Sequence, residues 1–306
     1  MLQILHGTNI PFMRYRRFTY IFSGALIIAT AVWLIMHGGP RYSVDFTGGN
    51  LLQVRLSQSM PADQVRTALD QAGMRGFELQ QMTGEQKNEF MIRIQGEGSG
   101  RDPFTEVKTA LESRIHGLTV ELRRNEHVGP KVGSELRQKA IWAILWSLGG
   151  ILVYVGWRYE FKFAVGAVVA LFHDVFVTLG MLCFTGREVS LTVVAALLTI
   201  AGYSINDTIV VFDRIRERSR ALRKEKHSRV MDIAVNETLS RTLITSLTVF
   251  LSAVALFIWG GEVLRDFSFA MLVGVGFGTY SSVYVASALA LDIWIGLDRR
   301  KGVQAE

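Results

Sequence analysis

The sequence predicts a polytopic α-helical membrane protein, in which six transmembrane helices carry one exported α+β domain between the first and second helices. Two observations predict this class. The chain of 306 residues is 49% apolar, and its apolar residues gather into six blocks longer than the core segments of soluble proteins. Between the first two blocks lie 102 residues, 38–139, in which strand-like and helix-like patterns alternate.

Each apolar block is long enough to cross the hydrocarbon layer as a helix, which takes roughly 17 to 25 residues. The first block follows Arg14, Arg16 and Arg17, as in a signal peptide, but its uncharged run is too long and no small-residue exit site follows Met36. We therefore expect a retained first helix. The predicted spans are 18–37, 140–157, 163–185, 190–212, 243–259 and 268–291, the last five within a membrane region of residues 140–297.

Lysine and arginine in the flanks predict the orientation, because positive residues beside a span tend to stay in the cytoplasm. With the N-terminus inside, the segments on that side hold 17 basic residues, whereas the opposite short loops hold only Arg187 and Arg265. The predicted cytoplasmic parts include residues 1–17, the loop 213–242 and the tail 298–306. Both termini are thus expected in the cytoplasm of a bacterial cell, the spans in its inner membrane, and residues 38–139 in the periplasm.

The exported segment alternates between period-2 and period-3.6 patterns in the order β-α-β-β-α-β. This order is typical of the split βαβ, ferredoxin-like arrangement, in which two helices cover one face of an antiparallel sheet. The glycine-rich stretch 96–100 is predicted to be a turn, since it lacks the lysine and the strand-to-helix setting of a phosphate loop. The predicted strands are 51–56, 77–81, 89–94 and 118–123, and the predicted helices are 62–71 and 103–115.

Charge and motif content exclude several function classes. Of the net charge of +6, +5 falls outside residues 38–139, beside or within the apolar blocks, as in membrane flanks rather than a nucleic-acid-binding face. Cys183 is the only cysteine and lies inside an apolar block, so neither a disulfide framework nor a zinc site is predicted. No nucleotide-binding or hydrolase motif occurs, and we expect no enzyme, metal or cofactor; any work must be driven by an ion gradient.

Ionisable residues inside spans are costly, so each needs a partner, a wet cavity or a function. Asp174 lies midway along the third span and Asp207 in the fourth, and Arg241, at the start of the fifth, is their predicted common partner. Helical spacing places Ser204 with Asp207 on one face. It places Thr238, Arg241, Thr245 and Thr248 on another, so these two polar stripes are expected to meet. A carboxylate beside a guanidinium in low dielectric can exchange protons as helices move. Alternatively, Asp207 and Arg241 form an ion pair that only orders the bundle, and neighbouring polar groups merely satisfy Asp174.

The sixth span carries small residues at intervals of four, including Gly274 and Gly278. Such a face lets a neighbouring helix approach closely, so we predict a packing surface. The run 274–278 is not a dinucleotide fingerprint, which would need a third glycine after a soluble strand. This face and the polar stripes together favour an obligate complex with a partner subunit.

Several short stretches resemble motifs of SecF, the protein-export membrane subunits of the SecD/SecF family in the resistance-nodulation-division superfamily. In chain order they are Asp45–Gly49, Val128–Gly133, Leu171–Val175, Gly202–Asp207, Val211–Glu217 and Arg241–Ser246. The motif residues expected to shape or pack the backbone are Asp45, Phe46, Gly48, Gly49, Gly129, Pro130, Gly202 and Asn206. We interpret the first stretch as a tight turn into the first strand, because glycine adopts backbone angles that other residues avoid.

The resemblance implies a subunit that pairs with SecD, works with the SecYEG channel and contacts the translocating polypeptide, with YajC as a further candidate partner. Membrane lipid is an implied contact and nucleic acid is not. In this family proton flow is expected to drive late steps of protein export, and Asp207 and Arg241 occupy the positions associated with proton passage. Asp174 matches a motif without an assigned role. Two other functions stay open: a small-molecule efflux subunit of related fold, and a scaffold subunit that transports nothing.

Overall fold

The computed structural model describes residues 8–74, 77–82, 88–94 and 102–300, so the predicted turn 96–100 lies outside the described residues. The chain divides into two compact units, one of residues 42–142 and one of the remaining chain on both sides of it. The elements, in chain order, are α1 Arg16–His37, α2 Val44–Thr47, β1 Gly49–Leu56, α3 Ala62–Gln71, β2 Phe77–Gln81, β3 Glu89–Ile94, α4 Pro103–Arg114, β4 Val120–Val128, α5 Pro130–Arg158, α6 Phe161–Phe184, α7 Leu191–Ala221, α8 His227–Trp259, α9 Gly261–Tyr280, a π-helical turn Ser281–Ala286 and α10 Ser287–Arg300.

The smaller unit is a four-stranded antiparallel sheet with strand order β2-β3-β1-β4. Side chains alternate across a strand, so Leu52 and Val54 of β1 and Phe90 and Ile92 of β3 share one face and are fully buried against α3 and α4. The predicted β-α-β-β-α-β order is confirmed. The last strand begins two residues later and runs five residues further than the predicted 118–123, because its charged second half pairs with β1 across a β-bulge.

The glycines of the first motif stand where the chain turns from α2 into β1. Gly48 and Gly49 have φ of +73° and +124°, values that side chains with a Cβ rarely adopt. A Cβ on Gly48 would lie 2.7 Å from Cα of Pro130, and one on Gly133 would lie 2.8 Å from N of Gly48. The structure thus confirms the predicted turn and packs the first two motifs backbone against backbone.

In the larger unit, the described part of the chain has six helices that are long and apolar enough to cross a membrane. Two inner helices, α6 and α7, and the helix from residue 264 to 300 have half or more of their apolar window buried within the chain, whereas α1, α5 and α8 have less than a fifth buried. The predicted fold class is confirmed. The segment 213–242 is almost wholly helical, since α7 continues to Ala221 and α8 begins at His227.

The sixth spanning helix is interrupted by a π turn at Ser281–Ala286, where α9 passes into α10. The Ser287 hydroxyl reaches back five residues to donate to the carbonyl of Ser282 at 3.1 Å. Such wide turns insert an extra residue, are rare and occur often at functional sites. Here the turn lies at the centre of the larger unit, packed against α6 and α7, and all its serines are buried.

Candidate functional site

Two buried carboxylates lie where α6, α7, α8 and the π turn meet. Asp174 on α6 is fully buried, and Asp207 on α7 is 6% exposed. Small residues permit the close approach: a Cβ on Gly166 of α6 would lie 2.7 Å from the carbonyl oxygen of Ala286, and a Cβ on Gly274 would overlap the side chain of Ile200. These packed glycines position the polar groups around both acids.

Asp174 accepts hydrogen bonds on both carboxylate oxygens. Its Oδ2 accepts from the hydroxyls of Ser204 at 2.5 Å and Ser281 at 2.6 Å, and its Oδ1 lies 2.9 Å from Nδ1 of His173. A Cβ on Gly278 would stand 3.7 Å from Oδ2, so this glycine covers the carboxylate. Asp174 therefore joins α6, α7 and the π turn. This agrees with the alternative that neighbouring polar groups satisfy its hydrogen-bonding capacity.

Asp207 has a sparser environment. Its Oδ1 accepts from the Thr242 hydroxyl of α8 at 2.7 Å, but its buried Oδ2 has no hydrogen-bond donor among the described residues. The Ser282 hydroxyl stands beside this carboxylate, yet donates to the carbonyl of Gly278 at 2.5 Å. One oxygen of this buried acid thus accepts no hydrogen bond from the described residues, and an unpaired polar atom is costly inside a protein.

The two carboxylates touch consecutive residues of the π turn. Ser281 donates to Asp174, and Ser282 lies next to Asp207. A change in the winding of this turn would move both serines together, because they are adjacent on one backbone. Ser281, Ser282 and Thr242 were not among the predicted site residues; the serine pair inside an apolar span was the available signal.

Ser204 and Asp207 of the predicted α7 stripe are buried, whereas Thr238 is the buried member of the predicted α8 stripe. The buried polar residues of α8 are Thr238, Thr242 and Ser246, and Ser246 accepts from the Tyr203 hydroxyl at 3.0 Å. Arg241 and Thr245, predicted to face α7, are exposed. A step of one residue turns a helical side chain by about 100°, so spacing alone did not settle which stripe faces inward.

Arg241 forms no ion pair with either acid in the part of the chain that the structure describes, so the prediction of a common ion-pair partner is wrong. It lies close enough to Asp207 for its charge to act there. Its exposed side chain belongs to a surface that we call the outer polar face. This face comprises Gly202 and Asn206 of α7 and Arg241, Thr245 and Thr248 of α8, all exposed in the chain.

The small-residue face of the sixth span is already covered by the chain itself. Ala270, Ala286 and Ala290 are fully buried, and Gly274 packs on α7. It therefore gives no support to the predicted need for a partner, which depends on the outer polar face instead. Around Gly202 the opposite holds, because no atom lies within 4 Å of the position of its Cβ.

The remaining motif residues lie in the smaller unit. Asp45 and Phe46 lie in α2, Gly48 links α2 to β1, and Gly49 begins β1. The backbone carbonyl of Gly129 accepts from N of Gly133 at 3.0 Å. Among the described residues no group of three metal-ligating side chains occurs. The arrangement that remains for chemistry is a buried carboxylate with an unused oxygen, near an exposed guanidinium, which is suited to binding and releasing a proton.

Comparison with known proteins identifies the relatives of this chain. The family model described as "Protein export membrane protein SecD/SecF, C-terminal" matches residues 107–295, and the "SecD/SecF GG Motif" matches residues 33–60. The chain is 43% identical to the protein translocase subunit SecF of Vibrio alginolyticus, covering 100% of this chain and 97% of that protein. It is 40% identical to that of Escherichia coli O157:H7, covering 99% of this chain and 93% of that protein.

Two solved structures are similar in fold. The crystal structure of SecDF, a translocon-associated membrane protein from Thermus thermophilus, matches with a TM-score of 0.85 and 37% identity over 95% of this chain. SecDF in its super-membrane-facing form matches with a TM-score of 0.72 and 36% identity over 99% of this chain. The present chain spans about two fifths of those longer chains, 39% and 41%.

Proposed function

The chain belongs to the SecD/SecF family of protein-export membrane proteins, as a relative of the SecF translocase subunits, and we propose that it couples proton flow to late steps of protein export through the SecYEG channel. It performs no enzymatic reaction and uses no cofactor. Proton movement down the gradient across the bacterial inner membrane changes the charge of Asp207 and thereby the packing of α7, α8 and the π turn. The exported domain, residues 38–139, moves in response and holds the emerging polypeptide.

The observation that carries this proposal is the unused Oδ2 of Asp207. A charged carboxylate in the membrane interior is costly unless its oxygens are satisfied, and only Oδ1 has a donor among the described residues. Protonation at Oδ2 removes this cost and requires no break of the Thr242 hydrogen bond. Deprotonation restores the charge near Arg241, which acts on it from the outer polar face. The two states therefore differ in charge at a contact between two helices.

The outer polar face supports the proposed pairing with SecD. A guanidinium, an amide and two hydroxyls on one face of a spanning pair of helices are poorly suited to lipid. They fit instead a second polytopic subunit that presents polar or acidic side chains at the same depth. In the proposed assembly, SecD covers this face and both termini of the chain lie in the cytoplasm. SecYEG, the translocating polypeptide and YajC contact the assembled pair.

A scaffold role is the second candidate, and the Thr242 hydrogen bond favours it. The hydroxyl joins α8 to Asp207 at 2.7 Å, as a structural lock between helices would. In that case Asp207 only orders the bundle, and its neutral isostere Asn keeps the function.

The test compares inner-membrane vesicles that carry the native chain or Asp207→Asn, after co-purification with SecD has confirmed assembly. We measure export of a secreted reporter with and without a proton gradient. Coupling predicts that the variant assembles and exports, but that the stimulation by the gradient falls at least tenfold, because an amide does not carry the proton. Unchanged stimulation would establish the scaffold role.

A matched control combines Asp207→Asn with Asn206→Asp, which adds a carboxylate one residue away on the exposed side of α7. Because Asn206 belongs to the outer polar face, export by this double variant is measured only after co-purification with SecD has confirmed its assembly. Coupling at the buried position requires that this double variant does not recover the stimulation. Arg241→Gln is expected to reduce both co-purification with SecD and gradient-dependent export, since it removes the charge of the outer polar face.

A further inference from the structure

A groove lined by arginines lies where the end of α5 meets the last turns of α7. Its lining is Arg158 of α5 and Asp213, Arg216, Glu217, Arg220 and Ala221 of α7, and its volume is about 630 Å³. We call it the arginine groove. Neither the proton-coupling residues nor the outer polar face includes any of these side chains.

The carboxylates of the groove are already engaged. Asp213 Oδ1 lies 3.5 Å from Nη2 of Arg158, and Glu217 Oε2 accepts from Nη1 of Arg214, outside the groove, at 2.6 Å. Arg216 and Arg220 form no ion pair within the described part of the chain. Two guanidiniums are therefore left to bind an anion, and guanidinium is the side-chain group best suited to bidentate binding of phosphate.

The position of the groove along α7 places it at the depth of lipid phosphates. The predicted apolar span ends at Phe212, and Arg216 lies about 6 Å further along the helix axis and Arg220 about 12 Å further. The headgroup layer on each side of the hydrocarbon is about 5 to 7 Å thick. Arg216 thus reaches this layer, and Arg220 closes the groove from its aqueous side.

Next to the groove, the end of α5 and the start of α6 present aromatic side chains that are exposed in the described part of the chain. Trp157 is 89% exposed and Phe161, which begins α6, is 72% exposed. Tyr154, one turn before Arg158, is also exposed. Aromatic side chains at this depth mark the membrane interface, and they give acyl chains an apolar surface near Arg158, which lines the groove.

We propose that the arginine groove binds the headgroup of an anionic phospholipid, whose phosphate contacts Arg216 and Arg220 and whose acyl chains lie along the exposed face of α5 at Trp157. Basic pockets between spanning helices on the cytoplasmic side are suited to such headgroups. The volume of the groove is in the range of small-ligand sites, about 300 to 1,000 Å³. Bound lipid would therefore join the end of α5 to the end of α7, two helices that are far apart in the sequence.

The experiment titrates phosphatidylglycerol, phosphatidylcholine or inorganic phosphate into the full chain, co-purified with its partner subunit in detergent, and counts bound lipids by native mass spectrometry. The test variant is Arg216→Gln with Arg220→Gln. The control, Arg223→Gln with Lys224→Gln, removes the same charge from exposed positions just after α7, outside the groove.

The proposal predicts one phosphatidylglycerol bound in preference to phosphatidylcholine, with affinity reduced roughly 20-fold in the test variant and less than twofold in the control. Trp157→Ala, which leaves the arginines in place, is expected to weaken phosphatidylglycerol binding as well. Equal losses in test and control variants would show general charge attraction and overturn the site. Displacement of the lipid by millimolar inorganic phosphate, or no preference for the anionic lipid, would overturn it too.

Discussion

The two acids inside the membrane unit differ in how fully they are satisfied, although sequence gives them similar settings. Asp174 receives two serine hydroxyls and lies beside a histidine nitrogen, so both oxygens have partners. Asp207 lies 33 residues later in the chain, on the neighbouring helix, and among the described residues it has a donor for one oxygen only. The comparison teaches that burial alone does not distinguish the two acids, whereas the number of donors to each carboxylate does.

The largest expected effect separates the two acids by stability. Asp174→Ala leaves the buried Ser204 hydroxyl without its acceptor and Ser281 with only the carbonyl of Gly278, and should lower the free energy of unfolding by about 3 kcal/mol. Asp207→Ala frees only Thr242 and should cost about 1 kcal/mol. Thermal unfolding in detergent, followed by circular dichroism, measures both. Equal losses for the two variants would break the comparison.

The glycines over the site give the next effect. Gly274→Ala places a methyl group inside the side chain of Ile200 and should destabilise the chain by about 2 kcal/mol. Gly278→Ala meets Cβ of Ser204 at 3.4 Å and Asp174 Oδ2 at 3.7 Å, which are ordinary contacts, and should cost less than about 1 kcal/mol. The same unfolding measurement decides; a larger loss for Gly278→Ala would show that Asp174 tolerates less crowding than its contacts indicate.

The smallest effect concerns the single donor of Asp207. Thr242→Val removes that hydrogen bond at nearly constant volume and should lower stability by about 0.6 to 1 kcal/mol. Thr245→Val is the control, because Thr245 is exposed and donates only to carbonyls of its own helix; its effect should stay within about 0.5 kcal/mol. If coupling operates through Asp207, Thr242→Val should also alter the gradient dependence of export.

Local pattern was sufficient for the elements of both units. The apolar runs were long enough to predict every span, and in the smaller unit β2, β3 and α3 begin and end at the predicted residues. Some of the missed ends are set by a neighbour: β4 continues through charged residues because β1 pairs with it, and α7 and α8 continue beyond the apolar layer as paired helices. Two starts were also missed: β1 begins at Gly49, and α5 begins at Pro130, ten residues before the predicted span.

The site was predictable in its residue types and not in its contacts. An aspartate inside an apolar run is visible in any sequence, because its cost in a membrane is independent of neighbours. The serines that contact these acids could not be identified from the sequence, because a hydroxyl in a span often donates to its own helix, as that of Thr245 does. Only the π turn brings Ser281 and Ser282 to the two carboxylates.

Sequence by itself determined the number of spanning helices, the sheet domain, the identity of the buried acids and the family, because length, periodicity and motif order are properties of the chain alone. The tertiary structure decided that Thr242 rather than Arg241 contacts Asp207, that Arg241 faces outward, and that Asp174 is satisfied while Asp207 is not. The reason is geometric: one residue turns a helix by about 100°, and the packing of glycine-rich helices sets which face points inward.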